Sequence, residues 1–351
     1  MDRKDKRYKA YIQILREELM PAMGCTEPIA IAYAAAKARE VLGARPDRLL
    51  IEVSGNIIKN VKSVVVPHTG GMRGIQAAAA AGAVAGEADA ELEVISNVTE
   101  DQIKDIGKYL DDAEIEVRHV DTGHIFDIAV AAVKGEDKSY VRIVDHHTNI
   151  VTIRINDDVI LSRKIDSADD GQLTDRSCLT IEGIVEFAAI VDIGDVREVL
   201  ERQISYNMAI AEEGLAGNYG ANIGSTMMLG HEYDLNYVMR SYAAAASDAR
   251  MNGCELPVVI NSGSGNQGIT ASVPVIVYAR AHNKSNEELL KALCVSNLVT
   301  IHLKTGIGTL SAYCGAVSAG CGAGAGIAYI QARESMPLRI RSSTRLPSIR
   351  A

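Results

Sequence analysis

Apolar residues recur at helical spacing over Tyr8–Leu19, at Tyr11, Ile12, Ile14, Leu15 and Leu19, which predicts an amphipathic first helix. An Ala-rich helix is predicted over Ile29–Val41, ending near Gly43, and another over Ile75–Ala85 that should bury almost all round. Between them Leu49–Val53 reads as a strand and Val61–Val66 as a second apolar run. The first opens into Ser54-Gly55-Asn56 and the second into Pro67-His68-Thr69-Gly70-Gly71, both turn-forming stretches. From Glu91 the period shortens. Leu92–Ile95 reads as a short strand and Thr99–Asp111 as a polar helix capped by Thr99. Five alternating runs follow: Glu114–Val120, Ile125–Val133, Tyr140–Val144, Val151–Ile155 and Val159–Arg163. Turn signals at Thr122-Gly123, Gly135-Glu136-Asp137 and Asn156-Asp157-Asp158 separate them, which predicts a small antiparallel sheet that the 99–111 helix could cover. Beyond Leu179 the pattern is helical again over Ile181–Ile190, Val196–Met208, Leu235–Met251, Glu287–Thr300 and Thr309–Ile330. Two glycine-rich loops interrupt it, Gly214–Gly224 and, after Val258–Ile260, Asn261–Gly268.

The expected class is α+β: a largely helical, Gly/Ala-rich domain with a small inserted antiparallel sheet plus helix. Residues 1–89 and 166–331 form two parts of the main domain, and 90–165 form the insertion. Asp166–Asp175 reads as a linker and 332–351 as a basic, disordered tail. A chain of 351 residues is long enough for two domains. Its formal charge of −9 argues against nucleic acid or an anionic membrane as the main partner, since both call for basic patches. The charged N-terminus predicts no export signal, and no apolar run reaches the length of a membrane span, so the cytoplasm is the expected compartment. Six cysteines in such a chain read as reduced thiols and not as a disulfide framework. With no Trp, only 2 Phe and 30 Gly, the core must rest on close backbone approach of small residues.

Four stretches could carry chemistry. Cys25, in Pro21-Ala22-Met23-Gly24-Cys25-Thr26-Glu27-Pro28, sits where a helix begins, with Thr26 as a candidate N-cap. A thiolate there is favoured by unpaired N–H groups and suits nucleophilic attack or metal ligation; a small buried hydrophobe is the plainer alternative. Ser262–Gly268 alternates glycines with Ser262, Ser264, Asn266 and Gln267, a cradle for a carboxylate or simply a tight loop. Cys314 and Cys321, seven apart, would share one side of a helix, as ligands or as core. His147-Thr148-Asn149 either lines a site or terminates a strand. Zinc is disfavoured without a Cys-x-x-Cys, and no Walker loop, nucleophile elbow or pyridoxal-phosphate lysine is present. Widely separated cysteines in a Gly-rich helical core suit an iron–sulfur cluster with one open iron.

Seven ordered motifs, Gly24–Pro28, Ser54-Gly55-Asn56 with Lys59-Asn60, Pro67–Gly71, His147–Ile150, Ser247–Met251, Ser262–Gly268 and Leu310–Cys314, resemble the serine dehydratase alpha-chain-like family over about residues 8–330. The branch they resemble most is that of L-cysteine desulfidases. The resemblance implies that the main domain is catalytic and uses an oxygen-sensitive [4Fe–4S] cluster as Lewis acid. It would eliminate the β-substituent of L-cysteine or L-serine, giving pyruvate and ammonia. Cys25 and Cys314 match two of the family's three cluster ligands. Ser262, Ser264, Asn266 and Gln267, with Asn56 and Thr69, are expected to hold the substrate carboxylate, and His68 and His147 are the candidate bases. In relatives a Cys-Asp-Gly-Ala-like motif further on carries the third cysteine. Here 332–351 contain five Arg against one Glu instead, which implies a missing or frameshifted C-terminal part. Cys321 lies on the right helix to substitute but matches no ligand position. The expected partners are a small amino acid and a second copy of the chain, with no nucleic acid and no membrane. Two competing expectations are a non-catalytic amino-acid-binding remnant and a homo-oligomeric structural protein.

Overall fold

The computed structural model describes residues 1–23, 26–164, 173–307 and 315–334. In chain order the first elements are α1 (Lys6–Glu18), β1 (Pro21–Met23), α2 (Thr26–Leu42), β2 (Arg48–Val53), α3 (Gly55–Val61), α4 (Gly74–Ala85) and α5 (Glu100–Asp112). Strands β3 (Glu114–His119), β4 (Asp127–Lys134), β5 (Asp137–Val144), β6 (Ile150–Ile155) and β7 (Asp158–Ser162) follow. The chain then forms α6 (Ile181–Ile190), α7 (Ile193–Ala216), α8 (Ile223–Met228), α9 (Leu235–Met251) and β8 (Pro257–Val259). It closes with α10 (Gly265–Ala281), α11 (Asn286–Thr305) and α12 (Gly315–Glu334). The class is α+β. Two compact units emerge: the described residues of Met1–Pro21, Asp170–Ala249 and Pro257–Ala351, and those of Ala22–Asp169 with Arg250–Leu256.

The second unit is built on a six-stranded sheet in the order β3-β2-β4-β5-β6-β7. Its central strand β4 is buried at every residue from Asp127 to Ala132, while β5 buries Ser139, Val141 and Ile143 with period 2. One correction to the sequence reading follows. The sheet is mixed, because β3 runs parallel to β2, with Arg48 opposite Glu114, while the other pairs are antiparallel. Its strand β2 comes from before residue 90. The cover also differs: α2 packs on β4 and β5, with Ser139 Oγ donating to Ala38 O at 2.6 Å, whereas α5 packs on α4. Helices α2 and α4 meet backbone to backbone. A Cβ on Gly82 would overlap Ala32 O, and one on Gly86 would lie 2.7 Å from Ala36 Cβ. Arg39 closes the end of α4 by donating from Nη2 to Gly86 O at 2.6 Å. The stretch read as a turn after β2 is α3, and Leu92–Ile95, read as a strand, begins inside a 3-10 turn over Ala88–Glu93. Leu92 and Val94 are buried on either side of exposed Glu93, the alternation of a half-exposed strand, but the backbone there is a 3-10 turn and pairs with no strand of the sheet.

In the helical unit α11 is the central rod, packed by α1, α6, α7, α10 and α12, and started by a Ser285/Glu288 capping box. Helix α7 runs on to Ala216, well past the predicted Met208, and Ile223–Met228 within the glycine-rich loop is the short helix α8. Gly214 and Gly224 let α7 and α8 press on the backbone of α9 at Ala245 and Ser241. α12 continues to Glu334, so the first residues of the predicted tail are helical; 335–351 lie outside the described residues. Among the described residues no helix is long and apolar enough to cross a membrane.

Candidate active site

At one end of the sheet the register brings together the C-terminus of β2, the start of β4, the end of β5 and the start of β6: Val53 lies opposite Ile128, Asp127 opposite Val144, and Ile143 opposite Ile150. The loops leaving that end carry Asn56, on the first turn of α3, and His147. Asp127 is 1% exposed and is held by Arg142, whose Nε and Nη2 donate to its two carboxylate oxygens at 2.9 and 2.6 Å. A buried bidentate pair of this kind fixes the strand end on which the loops stand.

The His147 ring lies edge-on to Phe126, centroids 4.7 Å apart, and its Nε2 is buried with no hydrogen-bond partner among the described residues. Burial pushes its imidazole below the ordinary value; Glu27 opposes this, while His146 and Arg250 reinforce it. Glu27 opens α2 beside Thr26, whose hydroxyl donates to Glu27 Oε2 at 3.2 Å, and Asn60 Nδ2 donates to Glu27 Oε1 at the same distance. Thr26 is therefore the first residue of α2 and not its cap. His68 has φ +54°, a left-handed conformation unusual for a side-chain-bearing residue. Its Nδ1 lies 3.5 Å from Glu255 Oε1 and its Nε2 is buried without a hydrogen-bond partner among the described residues. Thr69 is fully buried and its hydroxyl donates to Val66 O at 2.7 Å, within its own turn. The sequence reading missed Glu27, Arg250 and Glu255 as neighbours of these imidazoles.

The helical unit carries the second set. Ser264 caps α10, accepting from Gln267 N, while Ser262 and Gly263 take φ +49° and +75° and turn the loop back on itself. Gly268 is required where it stands, since a Cβ would overlap Val259 O. Beneath the loop lies an amide network that sequence reasoning also missed. Asn261 Nδ2 and Gln203 Nε2 donate to Asn297 Oδ1 at 2.9 and 3.0 Å, and Asn297 Nδ2 returns a bond to Gln203 Oε1 at 2.8 Å. Asn207 donates to Ser272 Oγ at 2.9 Å and accepts from Val259 N at 2.8 Å. Ser262 Oγ donates to Asn261 Oδ1 at 2.9 Å. The signal available was a polar residue on an apolar helix face, at Gln203, Asn207 and Asn297. Ser264 and Asn266 are half-buried. Gln267 is 4% exposed and its Oε1 has no hydrogen-bond partner among the described residues.

Cys25 and Cys314 lie outside the described residues. What the structure does give is the helix that follows each, α2 from Thr26 and α12 from Gly315. Unpaired N–H groups at a helix start favour a thiolate beside them. Among the described residues no three His, Cys, Asp or Glu side chains are grouped to hold a metal. Cys321 is exposed on α12, Cys254 and Cys294 are buried, and burial pushes the Cys294 thiol up to about 12. Cys178 is half-buried and donates its S–H to Asp175 O.

These features define an α+β chain with free imidazole nitrogens in one unit and an amide-braced loop at a helix start in the other. A family model for the serine dehydratase alpha chain matches residues 89–336, and the chain belongs to that family. The UPF0597 protein of Desulfitobacterium hafniense is 54% identical over 330 residues, which covers 94% of this chain and 77% of that protein. That of Lachnoclostridium phytofermentans is 50% identical over 323 residues, covering 92% and 77%, and that of Treponema denticola is 47% identical over 332 residues, covering 93% and 77%. No solved structure matches the chain.

Proposed function

We propose that this protein is an iron–sulfur-dependent lyase of the L-cysteine desulfidase type. It eliminates sulfide from L-cysteine, or water from L-serine, and the enamine product hydrolyses to pyruvate and ammonia. The observation that carries the reading is membership of the serine dehydratase alpha chain family. Cys25 and Cys314 are the proposed ligands of a [4Fe–4S] cluster, which when bound supplies a Lewis-acidic iron. The chain's own residues do the rest. Ser262, Ser264, Asn266 and Gln267, with Asn56 and Thr69, bind the amino acid. His68 or His147 takes the α-proton on a buried Nε2 that has no other hydrogen bond to make. Burial keeps His147 neutral near pH 7, the state a base requires. The protein is expected to work in the cytoplasm as a homodimer.

Anaerobic reconstitution with iron and sulfide tests the proposal. A brown protein that forms pyruvate from L-cysteine or L-serine, and loses that activity in air, is the expected result. A colourless protein whose melting temperature still rises with amino acids would sink the lyase reading and leave an amino-acid-binding protein.

A further inference from the structure

Gln267 is the third residue of α10, only 4% exposed, and its Oε1 is buried with no hydrogen-bond partner among the described residues. Leaving an amide oxygen unpaired in the interior costs stability, so an orphan acceptor held this firmly asks for a donor that none of the described residues supplies. The carboxamide cannot turn away easily. It lies flat on Gly315, where a Cβ would overlap its Cδ, so only glycine at the start of α12 leaves it room. Its backbone is pinned as well: Gln267 N donates to Ser264 Oγ, and the next residue, Gly268, is pressed on the carbonyl of Val259. Below it the loop is tied through Asn261 to Asn297 and Gln203. A pre-set acceptor beside a helix start, whose N–H groups favour an anion, offers opposite polarities a few atoms apart. That is the pairing an α-amino acid presents, carboxylate next to ammonium.

We infer that Gln267 reads the α-ammonium group of the substrate through Oε1, while the loop residues before it take the carboxylate. This rests on the amino-acid reading above and adds the division of labour within the loop. It makes Gln267 the residue that separates amino acids from carboxylic acids of the same size lacking the amine.

Calorimetric binding of L-serine and of 3-hydroxypropanoate, which lacks only the α-amino group, tests it on the full chain without any need for turnover. The wild-type protein should prefer L-serine, and Gln267→Met, which keeps the volume and removes the acceptor, should weaken L-serine by about 10- to 100-fold, the span of one hydrogen bond to a charged group. Binding of 3-hydroxypropanoate should hold within about 2-fold, below the effect of a lost hydrogen bond. Gln267→Glu, which still accepts, should keep the preference for the amine. Circular dichroism melts confirm that each variant folds; should Gln267→Met not fold, Gly315→Ala, which displaces the same carboxamide, must erode the preference in its place. The inference is overturned if Gln267→Met weakens both ligands equally, if it weakens neither, or if the wild type shows no preference for the amine. Absence of pyruvate formation with the preference intact would overturn the lyase reading alone.

Discussion

In the sheet-based unit charged or titratable groups stand among the buried neutral hydroxyls of Thr69 and Ser139: Arg142 grips Asp127, Glu27 holds Asn60, and His147 sits under the influence of Glu27, His146 and Arg250. In the helical unit Gln203, Asn207, Asn261, Ser272 and Asn297 do comparable structural work with neutral amides and a hydroxyl. A buried charge is worth its desolvation only while its partner stays, and it responds to pH. A closed amide network holds its geometry at every pH, but each member depends on all its neighbours. The contrast suits the proposed division of labour, with proton transfer near the imidazoles and substrate recognition on the amides.

The largest test of that contrast is Asp127→Ala, which strands the Arg142 guanidinium in the strand end. It should lower stability in urea titration at neutral pH by about 4 kcal/mol. A loss below about 1 kcal/mol, the range of an exposed pair, would mean that water reaches the pair. Asn297→Leu comes next. It leaves Gln203 and Asn261 with unpaired buried amide groups and should cost about 3 kcal/mol, equally at pH 5.5 and pH 7.5; a pH-dependent loss would erase the distinction between the units.

A smaller effect lies in the slope of stability with pH. Because burial holds His147 below its ordinary 6.5, the unfolded chain binds this proton before the folded one does. Stability therefore falls as pH drops through 6.5 toward the lower folded value, by at most about 1.4 kcal/mol per pH unit from this one group. His147→Gln removes that contribution, so its stability between pH 7 and 5.5 should be flatter than the parent's, and an unchanged slope would show that another group carries it. The smallest effect is on reagents. In the native protein iodoacetamide should modify Cys321 and leave Cys294 untouched, as peptide mass mapping can read; rapid labelling of Cys294 would mean that α11 opens readily.

Much of this was visible in the chain because local periodicity carried it. The five alternating runs fall within a few residues of β3 to β7, and Ile181–Ile190 and Leu235–Met251 are helices with the ends their patterns gave. What stayed hidden was pairing over distance. Nothing local in Leu49–Val53 says that it enters the sheet between β3 and β4, and Asn297 finds Gln203 across 94 residues. The turn after β2 misled for another reason: Ser54-Gly55-Asn56 has turn chemistry, but Ser54 Oγ is spent on Ile125 O at 2.7 Å and the helix starts without a side-chain cap. Of the expected site residues, His68, His147 and Gln267 stand out only because the fold leaves one atom of each buried and unpaired, which no sequence pattern reveals.

The meeting of Gly82 and Gly86 with Ala32 and Ala36 has a mechanical consequence. With backbone on backbone there is no layer of side chains to shear, so α2 and α4 can only move as one body. Thr26 and Glu27 are thereby presented from a mount about two helices thick. Backbone amides in the middle of α2 and α4 should exchange with deuterium only when the whole unit opens, while those of two-turn α3 exchange on their own. The residues around the imidazoles thus stand on one fixed wall and one that can yield.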